Sequence, residues 1–575
     1  MKKKYILIAF VALMGLVSCD KFLDTMPDNR AEINTAEKIR ALLTSGYPTN
    51  TYLTFNEYMS DNVDNIGDDN PGTSRFIDQC YTWSEITEIT NDCPTYFWSE
   101  SYLGIAHANQ ALFAIYELSG AKDLTEVDKI IAAGLQSEMA EALMIRAYNH
   151  FMLVNEFCLN YNSQTSDKDL GIPYMEGVEE ELNPKYERSN VARVYELIEK
   201  DVELGLKYIS DQYYAIPKYH FNVRAAYAFA ARFYLFYEKW DKAAECATKC
   251  LGSQPAAVLR DWQALSALPY DRETRSNEFI KTTYDANLLI QTAYTQFGIY
   301  FGYPGMTKYS HDSYLSFTEV AYAANVWGNT QTGWRNVSGW YYQPAGWYNG
   351  STFDQIAYWK IPYLFEYTDP VARIGYAHAV YPSLTMEETL LTRAEAYVML
   401  GRYDDATADV NTYIKSIIKT GANYFAKDLT TDDIVNFYSP IEYATWDNPT
   451  IKKKLNPAFS IGAEGGTRES MLQCVLGMKR IALIAEGLRW FDVKRYGIEI
   501  WRRTMEPDSQ AGQYDAAMKP MRLDDVLTVN DPRRALQLPQ EVISAGMTPN
   551  PREPQPENAA VIVDIQPKTL PEDNQ

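Results

Sequence analysis

Residues 391–406 read LTRAEAYVMLGRYDDA, and residues 228–243 read AFAARFYLFYEKWDKA, 163 positions earlier. Both stretches contain Ala-x-x-Tyr, then five residues, then an aromatic residue followed by Asp-x-Ala. A small alanine lets two antiparallel helices approach closely, and the aromatic side chain fills the groove beside the turn. The stretches therefore predict two helix pairs: Asn222–Glu238 with Trp240–Leu251, and Thr385–Leu400 with Tyr403–Ile417.

These pairs resemble the helix pair of tetratricopeptide repeats. Apolar residues at spacings of three and four predict two further helices, Glu126–Phe157 and Val191–Ile209. Ser189 or Asn190 could cap the second of them. The fold class predicted here is mostly α: a tetratricopeptide-like helix-pair superhelix with a loop-rich, aromatic-rich insert.

The insert separates two helical parts. Within residues 294–367, Pro344 and the glycines at 328, 333, 339, 346 and 350 interrupt any helical pattern. We divide the chain into a leader at 1–18, an N-terminal part with helix pairs at 19–270, the insert at 271–380, and a C-terminal part at 381–575. The C-terminal part holds one helix pair and ends in a proline-rich tail, which predicts an extended surface strap from Pro549.

The N-terminus is typical of an exported lipoprotein. Three lysines precede an apolar run, Tyr5–Leu16, which is too short to remain as a membrane-spanning helix. The run ends in Leu16-Val17-Ser18-Cys19, which resembles the bacterial lipobox. We expect removal of residues 1–18 and lipid attachment at Cys19. The alternative is an ordinary secretory signal with a chance cysteine.

Composition excludes some partners. The formal net charge is −22, and loss of the leader lysines would make it −25. A chain this acidic is repelled by nucleic acid phosphates and, as a whole, by anionic lipid. The chain also has 44 Tyr and 12 Trp, more rings than a core requires, so some should face water or a ligand.

The sequence lacks the common catalytic and metal-binding motifs. The chain has no His-Glu-x-x-His, nucleophile-elbow, P-loop or dinucleotide-binding motif, and only five histidines. The acidic stretch Asp61–Asn70 fails the calcium-loop pattern and predicts a solvated loop. The carboxylate pairs Glu387-Glu388 and Asp404-Asp405 are predicted on solvated helix surfaces. Glycosidases place two carboxyl groups across a cleft, and nothing local indicates such a pair.

The six remaining cysteines match no zinc pattern. Cys246 and Cys250 lie one helical turn apart, which favours two packed thiols over a disulfide. Cys80 and Cys93 could bridge a loop or remain free and buried.

Several phrases resemble the SusD/RagB family of Bacteroidetes outer-membrane lipoproteins. Cys19 is followed by Asp20-Lys21-Phe22-Leu23-Asp24 and then Pro27, as at the start of these proteins. The other similar phrases, in chain order, are Trp98–Asn109, Glu141–Asn155, Leu391–Ala406, Glu486–Gly497 and Arg534–Glu541. Together they cover nearly the whole mature chain.

The resemblance implies a binding protein rather than an enzyme, without a cofactor. It implies a cell-surface lipoprotein of the outer membrane that captures oligosaccharides and delivers them to a partner TonB-dependent SusC-like transporter. Three alternatives remain: a peptide-binding member of the same family, a surface glycosidase, and a purely structural scaffold.

Exposed aromatic residues are the predicted ligand contacts, because a ring can cover the apolar face of a sugar. The candidates are Trp83, Trp327, Trp334, Trp340, Tyr341 and Trp347. The alternative is that these rings form a small core beneath the loops. In contrast, Glu486–Gly497 is predicted to be structural, with Arg489 and Arg495 paired to carboxylates and with Trp490 and Phe491 packed between repeats.

Overall fold

The computed structural model describes residues 33–67, 72, 74–179, 184–327, 339–342, 345–349, 354–421, 427–507 and 518–552. The predicted leader, Cys19 and most of the predicted C-terminal strap lie outside these ranges. Within them, no helix is both long and apolar enough to cross a membrane.

Helices dominate the described residues, as the repeat pattern predicts. In chain order they are α1 Ala36–Leu43, α2 Leu53–Met59, α3 Arg75–Tyr81, α4 Pro94–Ser119, α5 Val127–Ala132, α6 Gln136–Phe157, α7 Val191–Tyr208, α8 Val223–Phe236, α9 Trp240–Leu251, α10 Pro255–Val258, α11 Trp262–Ser266, α12 Arg272–Phe279, α13 Phe297–Gly302, α14 Ser313–Glu319, α15 Met386–Met399, α16 Tyr403–Ile417, α17 Thr431–Tyr438, α18 Thr467–Ala482, α19 Arg489–Arg495 and α20 Gln540–Ser544. Short 3-10 turns occur at Thr44–Gly46, Leu124–Glu126, Pro217–Tyr219 and Pro532–Arg534.

The strands form small sheets beside the helices. They are β1 Asp64–Asn65, β2 Asn287–Tyr294, β3 Tyr309–Ser310, β4 Ala345–Asn349, β5 Asp354–Tyr358, β6 Leu364–Asp369, β7 Ile374–Thr385, β8 Ile500–Pro507 and β9 Met518–Leu527. The orders are β3-β1-β8-β9, β2-β7-β6 and β4-β5. β2 and β7 are antiparallel, so they bring the two ends of the insert together.

Both predicted helix pairs are confirmed. Asn222 caps α8 by accepting a hydrogen bond from the Ala225 amide, and Thr385 caps α15 through the Glu388 amide. Helices α8 and α9 pack together, as do α15 and α16, and α15 also packs on α9 and α18. The alanines of the shared pattern, Ala231 and Ala394, are fully buried, as close helix approach requires.

Two further helices are confirmed, one of them with a break. Asn190 caps α7 through the Arg193 amide, so the choice between Ser189 and Asn190 is decided. The predicted continuous helix Glu126–Phe157 is divided into α5 and α6. The break lies at Gly134, whose positive φ of 75° is readily available only to glycine.

The Glu486–Gly497 phrase is structural, as predicted. Arg489 pairs with Asp61, and Arg495 pairs with Glu395 and Asp492. Trp490 is completely buried. The ring of Phe491 lies against the rings of Tyr52 and Phe236, so it joins the N-terminal helices to α8.

The prediction of a solvated loop at Asp61–Asn70 is wrong for its first residues. Asp61 and Asp64 are buried, and the two arginines that pair with them, Arg489 and Arg503, come from the C-terminal part. Burial would raise the pKa of Asp61, but nearby guanidinium groups outweigh burial and hold that pKa well below its usual range. Buried ion pairs of this segment therefore connect the N-terminal part of the chain to the C-terminal part.

The prediction for Glu387-Glu388 is also wrong, because both residues are buried. Glu388 is covered by α8, whose Arg232 binds it through two hydrogen bonds of 2.6 Å. Asp404 and Asp405 are exposed, as predicted. All six described cysteines are free and buried, so Cys80 and Cys93 form no disulfide.

Candidate ligand-binding face

A cleft with aromatic walls opens at the edge of the insert. It has a volume of about 120 Å³ and is lined by Tyr270, Asp271, Arg272, Arg275, Gly302, Ala357 and Trp359. Tyr270 is 61% exposed, and Tyr303 beside the cleft is 38% exposed. Trp359, at 5% exposure, lies at the bottom. We refer to this feature as the aromatic cleft.

The arginines of the cleft come from one helix start. Asp271 caps α12 by accepting hydrogen bonds from the Glu273 and Thr274 amides. This places Arg272 so that its guanidinium carbon lies 3.6 Å from the centre of the Tyr303 ring. A guanidinium over one ring face fixes the ring and leaves the other face for a ligand.

Arg275 supports the opposite wall. Its guanidinium donates hydrogen bonds to the carbonyls of Ser266, Leu268 and Pro269. The guanidinium carbon lies 4.6 Å from the centre of the Tyr270 ring. Burial lowers the pKa of Arg275, but guanidinium groups stay protonated in proteins, so the group is a fixed positive charge beneath the cleft.

An exposed aromatic sheet adjoins the cleft. The Tyr303 ring lies 6.4 Å from the ring of Tyr363, which leads directly into β6. On β6, β7 and β2, the exposed large apolar side chains are Tyr294, Phe365, Tyr367, Ile374 and Tyr376. Gly375 allows the Phe365 ring to lie close to β7, because a Cβ atom there would meet that ring at 2.7 Å. Cleft and sheet together present several rings to solvent.

The predicted contact residue Trp83 is buried rather than exposed. Trp83 is only 5% exposed, and its indole nitrogen donates to the Met59 carbonyl. The Arg502 guanidinium covers its ring at 4.1 Å. The adjoining cavity is about 20 Å³, room for about one water molecule. Trp83 therefore packs in the core in this state, and its contact with a ligand stays a prediction.

The insert candidates are only partly described. Trp327 and Trp340 are buried, at 4% and 6% exposure, and Tyr341 is half-buried. Trp340 and Tyr341 are held by backbone pairing with the end of α16, where the Tyr341 amide donates to the Ile417 carbonyl. Trp334 lies outside the described residues, as does the side chain of Trp347. None of these observations tests ligand contact, which stays a prediction for all of them.

Family comparisons agree with the architecture. A family model described as "Starch-binding associating with outer membrane" matches residues 21–235, and one described as "SusD family" matches residues 240–543. The second match alone covers more than half of the chain. The chain belongs to the SusD/RagB family. Among curated proteins, no relative matches it.

Solved structures show the same SusD-like fold. A Bacteroides vulgatus protein described as sugar binding has a TM-score of 0.59 and 17% identity, over 91% of this chain and 99% of that one. A SusD superfamily protein from the same species has a TM-score of 0.55 and 18% identity, over 90% and 98%. A SusD-like carbohydrate binding protein, also from that species, has a TM-score of 0.55 and 15% identity, over 89% and 96%. These identities establish the fold alone.

Within this SusD-like fold, sequence reasoning missed Tyr270, Tyr303, Tyr367 and Tyr376. The predicted contacts are mostly tryptophans between glycines, whereas these exposed rings are tyrosines on a sheet and beside a helix start. One local signal was available. Phe365 and Tyr367 alternate along a strand that is followed by a polar turn, a pattern typical of a hairpin.

Among the described residues, no group of three or more His, Cys, Asp or Glu is placed to hold a metal ion.

Proposed function

We propose that this protein is a lipid-anchored nutrient-binding protein of the outer membrane. It captures oligosaccharides and delivers them to a partner TonB-dependent SusC-like transporter. Membership of the SusD/RagB family supports this function, and the lipobox ending at Cys19 supports the anchor. We further propose that the protein binds its ligand without cleaving it.

The aromatic cleft is the observation that carries the proposal. A sugar ring has apolar C–H faces between polar rims, and Tyr270 and Tyr303 offer rings already held by arginines. Covering roughly 80 Å² of apolar surface contributes about 2 kcal/mol per stacked ring at 25 cal/mol per Å². Two such rings contribute about 4 kcal/mol, which corresponds to a dissociation constant of about 1 mM, and hydrogen bonds to the sugar hydroxyls must offset the cost of association. Weak binding suits a protein that must release its cargo.

Titration calorimetry against plant, host and microbial glycans, with a peptide mixture included, tests the proposal. Tyr270→Ala and Tyr303→Ala should each weaken glycan binding about 10–30-fold, since 2 kcal/mol is about a 30-fold change. Tyr96→Ala removes a tyrosine of α4 that is about as exposed as Tyr303 and should leave binding unchanged. Normal binding by both cleft variants would place the site elsewhere.

The tryptophan proposals need the same titration. Trp83→Ala, Trp334→Ala, Trp340→Ala and Trp347→Ala are measured singly, together with Trp327→Ala and Tyr341→Ala. Thermal unfolding is recorded for each variant, because Trp83, Trp327 and Trp340 are buried. Weaker binding without a change in melting temperature would assign a residue to the ligand. Lower stability with unchanged binding would assign it to the core.

A peptide ligand is the second candidate, and the free sheet edge favours it. Among the described strands, β6 is the last of the order β2-β7-β6, so one of its edges has no partner strand there. An extended peptide can add a strand to such an edge. Calorimetric binding of peptides with no binding of any glycan would support this alternative. Release of shorter sugars during incubation with glycans would instead support a glycosidase.

The anchor has its own test. Cys19→Ala removes the thiol to which the lipid would be attached, so it should leave a correctly folded protein without lipid. Fractionation in a strain without the partner transporter measures the effect. Continued recovery of the variant with the outer membrane would contradict a single anchor at Cys19.

A further inference from the structure

A short loop after α7 presents three large apolar side chains to solvent. Tyr213, Ile216 and Tyr219 are 43%, 48% and 43% exposed, and they lie within seven residues. Single exposed apolar residues are common on protein surfaces, whereas a cluster of this kind marks a contact site. We refer to the three as the apolar loop.

The loop is held in one shape from within. The ring of Tyr214 stacks on His220 with the ring centres 4.3 Å apart. The Asn222 side chain donates to the carbonyls of Pro217 and Leu288, which ties the end of the loop to β2. The exposed side chains are therefore presented by a fixed scaffold, so little conformational entropy is lost when they are covered.

The loop lies beside the first described helix. The guanidinium carbon of Arg40 on α1 is 3.5 Å from the centre of the Tyr213 ring. The described chain begins at Ile33, shortly before α1. From Cys19 to Ile33 the covalent chain spans at most about 50 Å. A lipid on Cys19 therefore keeps this side of the molecule within reach of the membrane.

Charge around the apolar loop is nearly balanced, although the chain carries −22 overall. The basic residues of this region are Lys38, Arg40, Lys207, Lys218 and Arg224, and the acidic ones are Glu37, Asp128, Glu138, Glu141, Asp211 and Asp285, with Glu138 paired to Arg40 and Glu141 bonded to His220. The acidity of the whole chain repels anionic lipid, but little of that repulsion originates here. Tyrosine and isoleucine are also side chains that suit the boundary between headgroups and acyl chains.

We propose that the apolar loop rests on the lipid surface to which Cys19 anchors the chain, so that the anchored protein has one preferred orientation. This inference rests on the lipid anchor of the proposed function. The contact is mainly apolar, so it should persist on zwitterionic lipid and change little with salt. It fixes which side of the protein faces the bilayer.

Hydroxyl-radical labelling of tyrosines, read by mass spectrometry, tests the contact. The lipidated protein is reconstituted in phosphatidylethanolamine–phosphatidylcholine vesicles. It is compared with the same protein released by a protease site introduced between Cys19 and Ile33. Labelling of Tyr213 and Tyr219 should be about 5-fold lower on vesicles, as expected for rings at an interface. Tyr96, Tyr270 and Tyr367 serve as exposed references and should not change.

A charged substitution gives a matched comparison. Ile216→Glu should raise labelling of Tyr213 and Tyr219 on vesicles to the level of the released protein. Leu103→Glu, at a similarly exposed position on α4, should leave their protection intact. Equal labelling on vesicles and after release would overturn the proposal, as would protection that requires a co-reconstituted barrel protein. If mass spectrometry finds no lipid on Cys19, the proposed anchor fails instead, and the two failures are distinguishable.

Discussion

The helix pairs α8–α9 and α15–α16 share one apolar pattern and differ in their buried charges. Ala231 and Ala394 occupy equivalent positions and are fully buried, and Tyr234 and Tyr397 are also equivalent. The next position after the alanine is Arg232 in the first pair and Glu395 in the second. The same place in the repeat therefore carries opposite charges.

The two charges reach different neighbours. Arg232 binds Glu388 on α15, which ties one pair to the other. Glu395 accepts hydrogen bonds from Lys479 on α18 and Arg495 on α19, which connects the second pair to these two C-terminal helices. The pattern of small and aromatic residues thus builds each pair, whereas the buried charges determine which element packs next.

A second difference lies inside the pairs. Arg393 and Asp409 form a buried ion pair, with atoms 2.7 Å apart, that joins α15 to α16. The equivalent residues of the first pair are Ala230 and Cys246, both buried. An apolar contact and an ion pair therefore serve the same helix–helix interface. A buried ion pair is often no more stabilising than a well-packed apolar contact, so the two solutions can coexist.

The largest effect is expected for Glu395→Gln. The substitution leaves Lys479 and Arg495 buried with only Asp492 to balance them. The free energy of unfolding should fall by about 3–5 kcal/mol, the usual result of breaking a buried ion pair. Chemical denaturation with far-UV circular dichroism measures it. A loss below about 1 kcal/mol would mean that the second pair is not held by this charge.

Acid should weaken the second pair next. Burial raises the pKa of Glu395, but Arg495 and Lys479 outweigh burial and bring that pKa to about 2. Because the folded pKa lies below the unfolded value of about 4.3, the stabilisation is complete above that value and is lost as pH falls towards 2. The loss is on the order of 3 kcal/mol.

Denaturation curves between pH 5 and pH 2 measure this loss. Glu319, whose pKa is also about 2 through Lys453, Arg503 and Arg480 despite its burial, contributes to the same range. Glu395→Gln should therefore flatten the curve without abolishing its slope. An unchanged slope in that variant would show that Glu395 does not titrate as its surroundings predict.

A swap between the pairs is expected to have a moderate effect. Arg393→Ala leaves Asp409 buried without its guanidinium partner and should cost about 3 kcal/mol, the lower end of the range for breaking a buried ion pair. Adding Asp409→Cys copies the first pair and should restore stability to within about 1 kcal/mol of the parent. Chemical denaturation of both single variants and the double variant completes a double-mutant cycle. Additive losses would show that the two helix interfaces are not interchangeable.

The smallest effect is expected at the turns of the pairs. Arg402 pairs with Asp405 at the surface, with side chains 51% and 52% exposed, and Arg402→Ala should change stability by less than about 0.5 kcal/mol. The equivalent residue, Lys239, pairs with Glu199 on α7 and is less exposed. Lys239→Ala should therefore cost more, up to about 1 kcal/mol. Thermal unfolding of the two variants compares these losses of stability. A larger loss for Arg402→Ala than for Lys239→Ala would contradict the expected order.

Local sequence determined the helix pairs, because a helix and its cap depend on residues only a few positions apart. The spacing of Ala231, Tyr234 and Trp240, repeated at Ala394, Tyr397 and Tyr403, was enough to bound four helices to within about two residues. The same reasoning assigned Trp490 and Phe491 to the core. For the helix pairs, the interactions that form the structure lie within the quoted stretches, whereas Phe491 packs against Tyr52 and Phe236 from other parts of the chain.

Tertiary structure alone decided which polar and aromatic residues are buried. Asp61 and Glu387 are charged residues of the kind usually found at the surface, yet both are buried. Asp61 pairs with Arg489 and Glu387 pairs with Arg260, and both arginines lie more than a hundred positions away in the sequence. In the same way, 44 tyrosines look alike in sequence, and only packing leaves Tyr270 exposed. Burial is a property of what packs against a residue from elsewhere in the chain, and a local pattern of residues does not contain it.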